Sequence, residues 1–308
     1  MPIDSPSGFP ITNQGLETQP DTSTSPRVSR PLDPNDPPWG FAGAFLVWLA
    51  SVGLIIFLPL VFLIPYSVQR GLNPTRPDYV QKLAEFAIGD KTAIFVQVLS
   101  LLPTHILTFA MVWMLVTRFG KYPFREALGW SWPRGLGLWR SVFLALGLFL
   151  LANAVGKLLG ADKPTQLEQL INSSLAARYT IAILAVLTAP FVEEFVYRGI
   201  LFAALQRLVG TIGAAVVVLG LFTLIHVPQY WPNFGVIAAI GLLSLALTII
   251  RAYTGRLLPC IVIHLVFNGI TSIILLVEPY LPQFEPVKDP VTPPVGMFLH
   301  SIIMSLIR

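Results

Sequence analysis

The chain is short of charged residues and of cysteine, and each shortage excludes a class of protein. Only 12% of its 308 residues are Asp, Glu, Lys or Arg, whereas soluble proteins contain about 25%. The one cysteine, Cys260, excludes an internal disulfide and gives no support for a cysteine-based zinc cluster or a cysteine protease. This composition does not predict a soluble fold with an ordinary charged surface.

Long apolar segments are present instead of charge. Hydrophobic residues make up 54% of the chain, and the mean hydropathy is +0.70. Runs long enough to cross about 30 Å of hydrocarbon predict an all-α polytopic membrane bundle with seven to eight transmembrane helices. The predicted helices are 41–64, 92–116, 141–160, 179–205, two helices within 208–250, 257–277 and, as a candidate eighth helix, 295–308.

The first 38 residues differ from the rest of the chain. They hold nine of the 27 prolines together with many Ser, Thr and Asp, and they contain no long apolar run. Such a composition cannot bury enough apolar surface to offset the entropy of folding. The sequence therefore predicts a disordered tail over 1–38 and a membrane domain over 39–308.

Lysine and arginine are concentrated in three loops that fall on one side of the alternating helices. The positive-inside rule places these loops, and with them the N-terminal tail, on the cytoplasmic side. The net charge of +4 arises largely from such loops, so no nucleic-acid partner is expected. The cations form three groups: Arg118, Lys121, Arg125, Arg134 and Arg140; Arg207; and Arg251 with Arg256.

The stretch "APFVEEFVYRG" at 189–199 places Glu193, Glu194 and Arg198 inside an apolar run. Three such residues in a membrane helix cost about 7 to 10 kcal/mol unless they are paired or hydrated. Glu194 and Arg198 are four residues apart and face each other on a helix, whereas Glu193 is turned about 100° away. This spacing assigns Glu194 and Arg198 to a buried structural pair and Glu193 to chemistry.

Two further polar groups lie in later apolar runs, Phe222 with His226 and His264 with Asn268. Each alone is equally explained as a polar contact between helices. Counting inward at about 1.5 Å per residue places Glu193, His226 and Asn268 roughly 18 to 23 Å deep, with His264 a turn shallower. The other histidines, His105 and His300, have no partner at helical spacing and are interpreted as structural.

A carboxylate, two imidazoles and an amide at similar depth can hold and deprotonate a water molecule. They can do so directly or as ligands of one divalent metal such as zinc. The candidate metal ligands are Glu193, His226 and His264, and the sequence leaves open whether a metal is present or none.

Taken together, the three motifs resemble the CAAX protease and bacteriocin-processing (CPBP, or Abi) family of intramembrane proteases. The family patterns EExxxR, FxxxH and HxxxN all occur in order within about 178–277. The resemblance implies an endopeptidase in which Glu193 is the general base, His226 positions the water, and His264 with Asn268 stabilises the oxyanion. Glu194, Arg198 and Phe222 then support the site.

The resemblance also implies partners and a location. Eukaryotic members remove the last three residues from prenylated C-a-a-X proteins, and bacterial relatives are often linked to bacteriocin maturation or immunity. We therefore expect a peptide or membrane-anchored protein substrate and an integral, multi-pass protein of a bacterial cell membrane. The alternative is a non-catalytic membrane scaffold or a transporter that uses the same buried polar cluster.

Overall fold

α-Helices form the regular framework of residues 32–161 and 163–281, the part of the chain described by this computed structural model. Six helical segments in these ranges, two of which join consecutive α-helices, are long and apolar enough to cross a membrane, and no β-strand occurs there. The predicted all-α polytopic bundle is confirmed. The total of seven to eight spans stays a prediction, and the candidate helix 295–308 lies outside the described residues.

The α-helices are numbered in chain order. They are α1 (Phe41–Gln69), α2 (Tyr79–Gly89), α3 (Lys91–Leu99), α4 (Leu101–Thr117), α5 (Phe124–Ala127), α6 (Leu138–Leu158), α7 (Gln166–Ser173), α8 (Leu175–Leu187), α9 (Ala189–Glu194), α10 (Phe202–Tyr230), α11 (Phe234–Thr254) and α12 (Leu258–Val277). A π-helix, Phe195–Leu201, joins α9 to α10, and a short 3-10 helix, Glu278–Tyr280, follows α12.

The helix predicted over 179–205 is interrupted, which corrects the expectation of one continuous span. Thr188 leaves helical geometry at φ −125° and ψ −43°, and Pro190 lies in the first turn of α9. Proline has no N–H to donate to the carbonyl four residues earlier, so α8 ends just before it. As a result, Glu193 lies on a separate short helix, α9, and not on a continuation of α8.

Gly210 reverses the chain within α10. Its backbone, at φ 73° and ψ 173°, is not helical, and glycine adopts positive φ without the steric penalty of a Cβ. The rings of Tyr197 and Phe222 are 5.0 Å apart, although an unbroken helix would separate them by roughly 37 Å at about 1.5 Å per residue. The chain therefore folds back at Gly210, and the polar residues on either side of it meet.

Residues 32–40, which we call the strap, cross one end of the bundle before α1. The backbone carbonyls of Pro34, Pro37 and Pro38 accept hydrogen bonds from Arg251, Arg207 and Arg118 respectively. Of the predicted disordered tail, residues 1–31 lie outside the described residues, while 32–38 belong to this hydrogen-bonded strap. Three basic segments far apart in sequence thus meet at one end of the bundle, as the alternating topology requires.

We expect the end of the bundle that carries the strap to be cytoplasmic, and cysteine labelling tests this. Gln229→Cys at the opposite end of α10 and Ser131→Cys in the first basic loop replace exposed residues. Both are made in a Cys260→Ala background, so that the native cysteine, which is buried, cannot react with the reagent. A membrane-impermeant maleimide should label Gln229→Cys in intact cells and Ser131→Cys only after the membrane is opened. The reverse pattern would contradict the orientation.

Candidate active site

Glu194 and Arg198 form a buried ion pair, as their spacing predicted. Arg198 Nη1 donates to Glu194 Oε1 at 3.0 Å, and neither side chain has any exposed surface. The guanidinium also donates through Nη2 to the Ser244 hydroxyl at 2.8 Å and to its carbonyl at 2.9 Å. Arg198 therefore connects the π-helix to α11, and the charge of Glu194 is compensated within the protein.

The π-helix that holds Arg198 receives further side-chain support. Arg251 Nε donates to the Arg198 carbonyl at 3.1 Å, and Trp39 Nε1 in the strap donates to the Ile200 carbonyl at 3.1 Å. π-Helical turns are rare and occur frequently at functional sites. These contacts hold the unusual backbone in place next to Glu193 and Glu194.

His264 lies between the two adjacent glutamates. Its Nδ1 is 2.8 Å from Glu194 Oε1, and its Nε2 is 3.7 Å from Glu193 Oε2. An ionised carboxylate can only accept, so Nδ1 carries the proton and donates to Glu194. The ring is thereby fixed with Nε2 directed at Glu193. The contact between Nε2 and Glu193 Oε2 is attractive when one of these two atoms carries a proton.

The contact of His264 with both glutamates corrects the depth estimate that placed it a turn shallower. That estimate took Arg256 as a marker at the membrane surface. In the structure, Leu257 is fully buried and donates its N–H to the Gly129 carbonyl. The start of α12 is therefore covered by the first basic loop, and the number of residues from Arg256 does not measure the level of His264 relative to the carboxylates.

Glu193 differs from Glu194 in its access to solvent or ligand. The side chain of Glu193 is 24% exposed, whereas that of Glu194 is fully buried. Glu194 Oε2 has no hydrogen-bond partner within residues 32–161 and 163–281. Of the two carboxylates, Glu193 is the one that a water molecule or a substrate can reach.

His226 joins the cluster through Phe222. Its Nδ1 is 2.7 Å from the Phe222 carbonyl, which can only accept, so the ring proton lies on Nδ1 and Nε2 is left as an acceptor. The Phe222 ring lies 4.7 Å from the His226 ring and 6.2 Å from the His264 ring. The described contacts include no direct bond between His226 and Glu193.

The Asn268 side chain connects α12 to α8. Its Nδ2 donates to the Ala185 carbonyl in the last turn of α8 at 2.9 Å. One of its two amide protons is therefore used to join α12 to the helix that precedes α9. A role in oxyanion stabilisation would rely on the remaining amide proton.

The three candidate metal ligands differ in the atoms that they have available for a divalent ion. Nδ1 of both His226 and His264 is already hydrogen-bonded, which leaves Nε2 as the ligating atom of each. Among the described residues, no three His, Cys, Asp or Glu side chains are grouped closely enough to hold a metal ion. The arrangement of Glu193, His226 and His264 therefore does not fit a zinc site.

Sequence reasoning missed several residues that contact the cluster. Ser244, Thr248 and Arg251 all bind Arg198 of the π-helix. The hydroxyls of Ser244 and Thr248 accept from its guanidinium, Thr248 at 3.3 Å, and Arg251 donates to its carbonyl. Their spacing of four and then three residues places them on one face of α11, which was a readable signal in an otherwise apolar helix. His105, interpreted as structural, lies next to Thr188 at the start of α9.

The fold and the cluster define a class: an integral, multi-pass membrane protein with a buried carboxylate–imidazole–guanidinium site. Within that class, residues 175–270 match the family described as Type II CAAX prenyl endopeptidase Rce1-like. The resemblance seen in the three motifs is confirmed over this segment, and the family implies CAAX-type intramembrane protease activity. No curated protein and no solved structure matches the chain.

Proposed function

We propose that the protein is an intramembrane endopeptidase that hydrolyses peptide bonds with a water molecule activated by Glu193. The observation that carries this proposal is the division between the adjacent glutamates. Glu194 is fully buried and paired with Arg198, while Glu193 is partly exposed and faces His264. A carboxylate that lies beside an imidazole and is open to water has the features of a general base.

In the proposed reaction Glu193 accepts a proton from water, and the water oxygen attacks the carbonyl carbon of the scissile bond. The resulting tetrahedral intermediate carries an oxyanion, which hydrogen-bond donors stabilise. The proton then passes to the peptide nitrogen and the carbon–nitrogen bond breaks. One water is consumed, and the products are a carboxylic acid and an amine.

The roles of the other site residues follow from the side-chain atoms that are not already engaged in hydrogen bonds. His226 keeps Nε2 as an acceptor and can orient the attacking water, because its Nδ1 is held by the Phe222 carbonyl. His264 is held by Glu194 and directs Nε2 at Glu193, so this nitrogen can take up a proton from Glu193, and the imidazolium then formed can stabilise the oxyanion. Asn268 retains one amide proton for the oxyanion.

The proposed substrate is a peptide or a membrane-anchored protein, processed near its C-terminus in the manner of a C-a-a-X protein. The similarity to the prenyl endopeptidase family supports this substrate class. We propose 178–277 as the protease core of a membrane domain over 39–308, in a bacterial cell membrane with the N-terminus in the cytoplasm.

Comparison of protein C-termini and released peptides in membranes tests the proposed function. Membranes with the wild-type protein should contain shortened C-termini and released peptides that are missing with Glu193→Gln, since the amide cannot accept the proton from water. Glu85→Gln is the matched control, because Glu85 is exposed on α2. Identical C-termini in wild-type and Glu193→Gln membranes would favour a scaffold or a transporter.

A further inference from the structure

We propose that His105 of α4 is a positioning residue of this site, which holds the start of the helix that carries Glu193. His105 lies outside the segment with family similarity, residues 175–270. The inference rests on the proposed function, since it assigns His105 to the same reaction.

A hydrogen bond joins His105 to the break between α8 and α9. His105 Nδ1 is 2.7 Å from Thr188 Oγ1, and the Thr188 hydroxyl donates to the Leu184 carbonyl at 3.0 Å. Because that hydroxyl has only one proton and uses it on Leu184, it accepts from His105. The proton of neutral His105 is thus on Nδ1, and Nε2 remains an acceptor with no hydrogen-bond partner in the described part of the chain.

Thr188 is well placed to transmit this contact to Glu193. It is the residue at which the backbone leaves helical geometry, and α9 extends only from Ala189 to Glu194. Glu193 is therefore one short helix away from the position that His105 fixes. A side chain from α4, more than eighty residues earlier in the chain, sets where this helix begins.

Two replacements of His105 test this contact. Asn keeps an amide donor close to the position of Nδ1, whereas Leu removes the donor. Thr188→Val removes the acceptor and leaves His105 in place. Thr104→Val is the control, because Thr104 is buried in the same helix and its hydroxyl donates to the Ser100 carbonyl of that helix.

The assay uses a fluorogenic prenylated C-a-a-X peptide and purified protein, with kcat and KM measured between about pH 4 and pH 9. His105→Leu and Thr188→Val should lower kcat roughly tenfold with little change in KM, because the base is displaced from the water. His105→Asn should retain most of kcat, because its amide can still donate a hydrogen bond to Thr188.

Each result decides the proposal. If His105→Leu loses thermal stability but keeps the wild-type kcat, His105 is only structural and the inference fails. It fails equally if His105→Asn loses as much kcat as His105→Leu, or if Thr104→Val gives the same loss of kcat. If the wild-type protein itself does not cleave the peptide or release peptides in membranes, the proposed function fails and this inference with it.

Discussion

Glu193→Gln should leave the protein folded and lower hydrolysis by about 10²-fold or more, the usual size of a general-base contribution. Glutamine preserves the volume of the side chain and its capacity for hydrogen bonding but cannot take a proton from water. The side chain of Glu193 is partly exposed and forms no hydrogen bond with another described residue, so its replacement removes little that holds helices together. The loss should appear in kcat, with thermal unfolding in detergent unchanged.

Glu194→Gln is the matched control at the neighbouring position, and it should behave differently. Glu194 is fully buried and accepts from both Arg198 and His264. Its neutral amide leaves Arg198 buried with less compensation, so stability should fall before any question of turnover arises. If Glu193→Gln misfolds while Glu194→Gln folds and is inactive, the two roles are reversed. If both variants cleave like the wild type, the protein does not use this site for proteolysis.

Arg198→Ala should lower the free energy of unfolding by about 3 to 5 kcal/mol, the usual effect of removing one partner from a buried ion pair. The change leaves the Glu194 carboxylate buried without its counter-charge. It also removes the donors to Ser244 and Thr248 that join the π-helix to α11. Arg198 Cζ lies 4.6 Å from the centre of the Phe222 ring, so the variant opens space beside the site as well.

Arg207→Ala provides the comparison for Arg198→Ala. Arg207 pairs with Asp36 at 3.6 Å and donates to the Pro37 carbonyl at 2.8 Å, and 47% of its side chain is exposed. Exposed pairs contribute only about 0 to 1 kcal/mol, so this variant should unfold close to the wild-type temperature. The double variant Glu194→Gln with Arg198→Ala should recover part of the loss, since it removes the uncompensated charge. Equal stability of Arg198→Ala and Arg207→Ala would show that the buried pair contributes little.

The candidate site was predictable from sequence only where its contacts are local. Glu194 and Arg198 lie four residues apart, and helical geometry alone brings them together, as the 3.0 Å contact shows. Ser244, Thr248 and Arg251 lie on one helix face for the same reason, although their partner on the π-helix was not evident. In contrast, the depth estimate for His264 did not predict its contacts with Glu193 and Glu194, because residues counted along one helix do not give its level relative to another helix.

The sequence by itself determined that this protein lies in a membrane, that it is helical and which motifs form its candidate site, because hydropathy and helical spacing are properties of neighbouring residues. Only the tertiary structure decided that His264 lies between both glutamates, that His105 binds Thr188 and that the strap lies across the basic loops. These contacts join residues about 70 to more than 200 positions apart. They depend on the break at Thr188, the reversal at Gly210 and the buried start of α12, and periodicity along a single helix carries no information about how such helices meet.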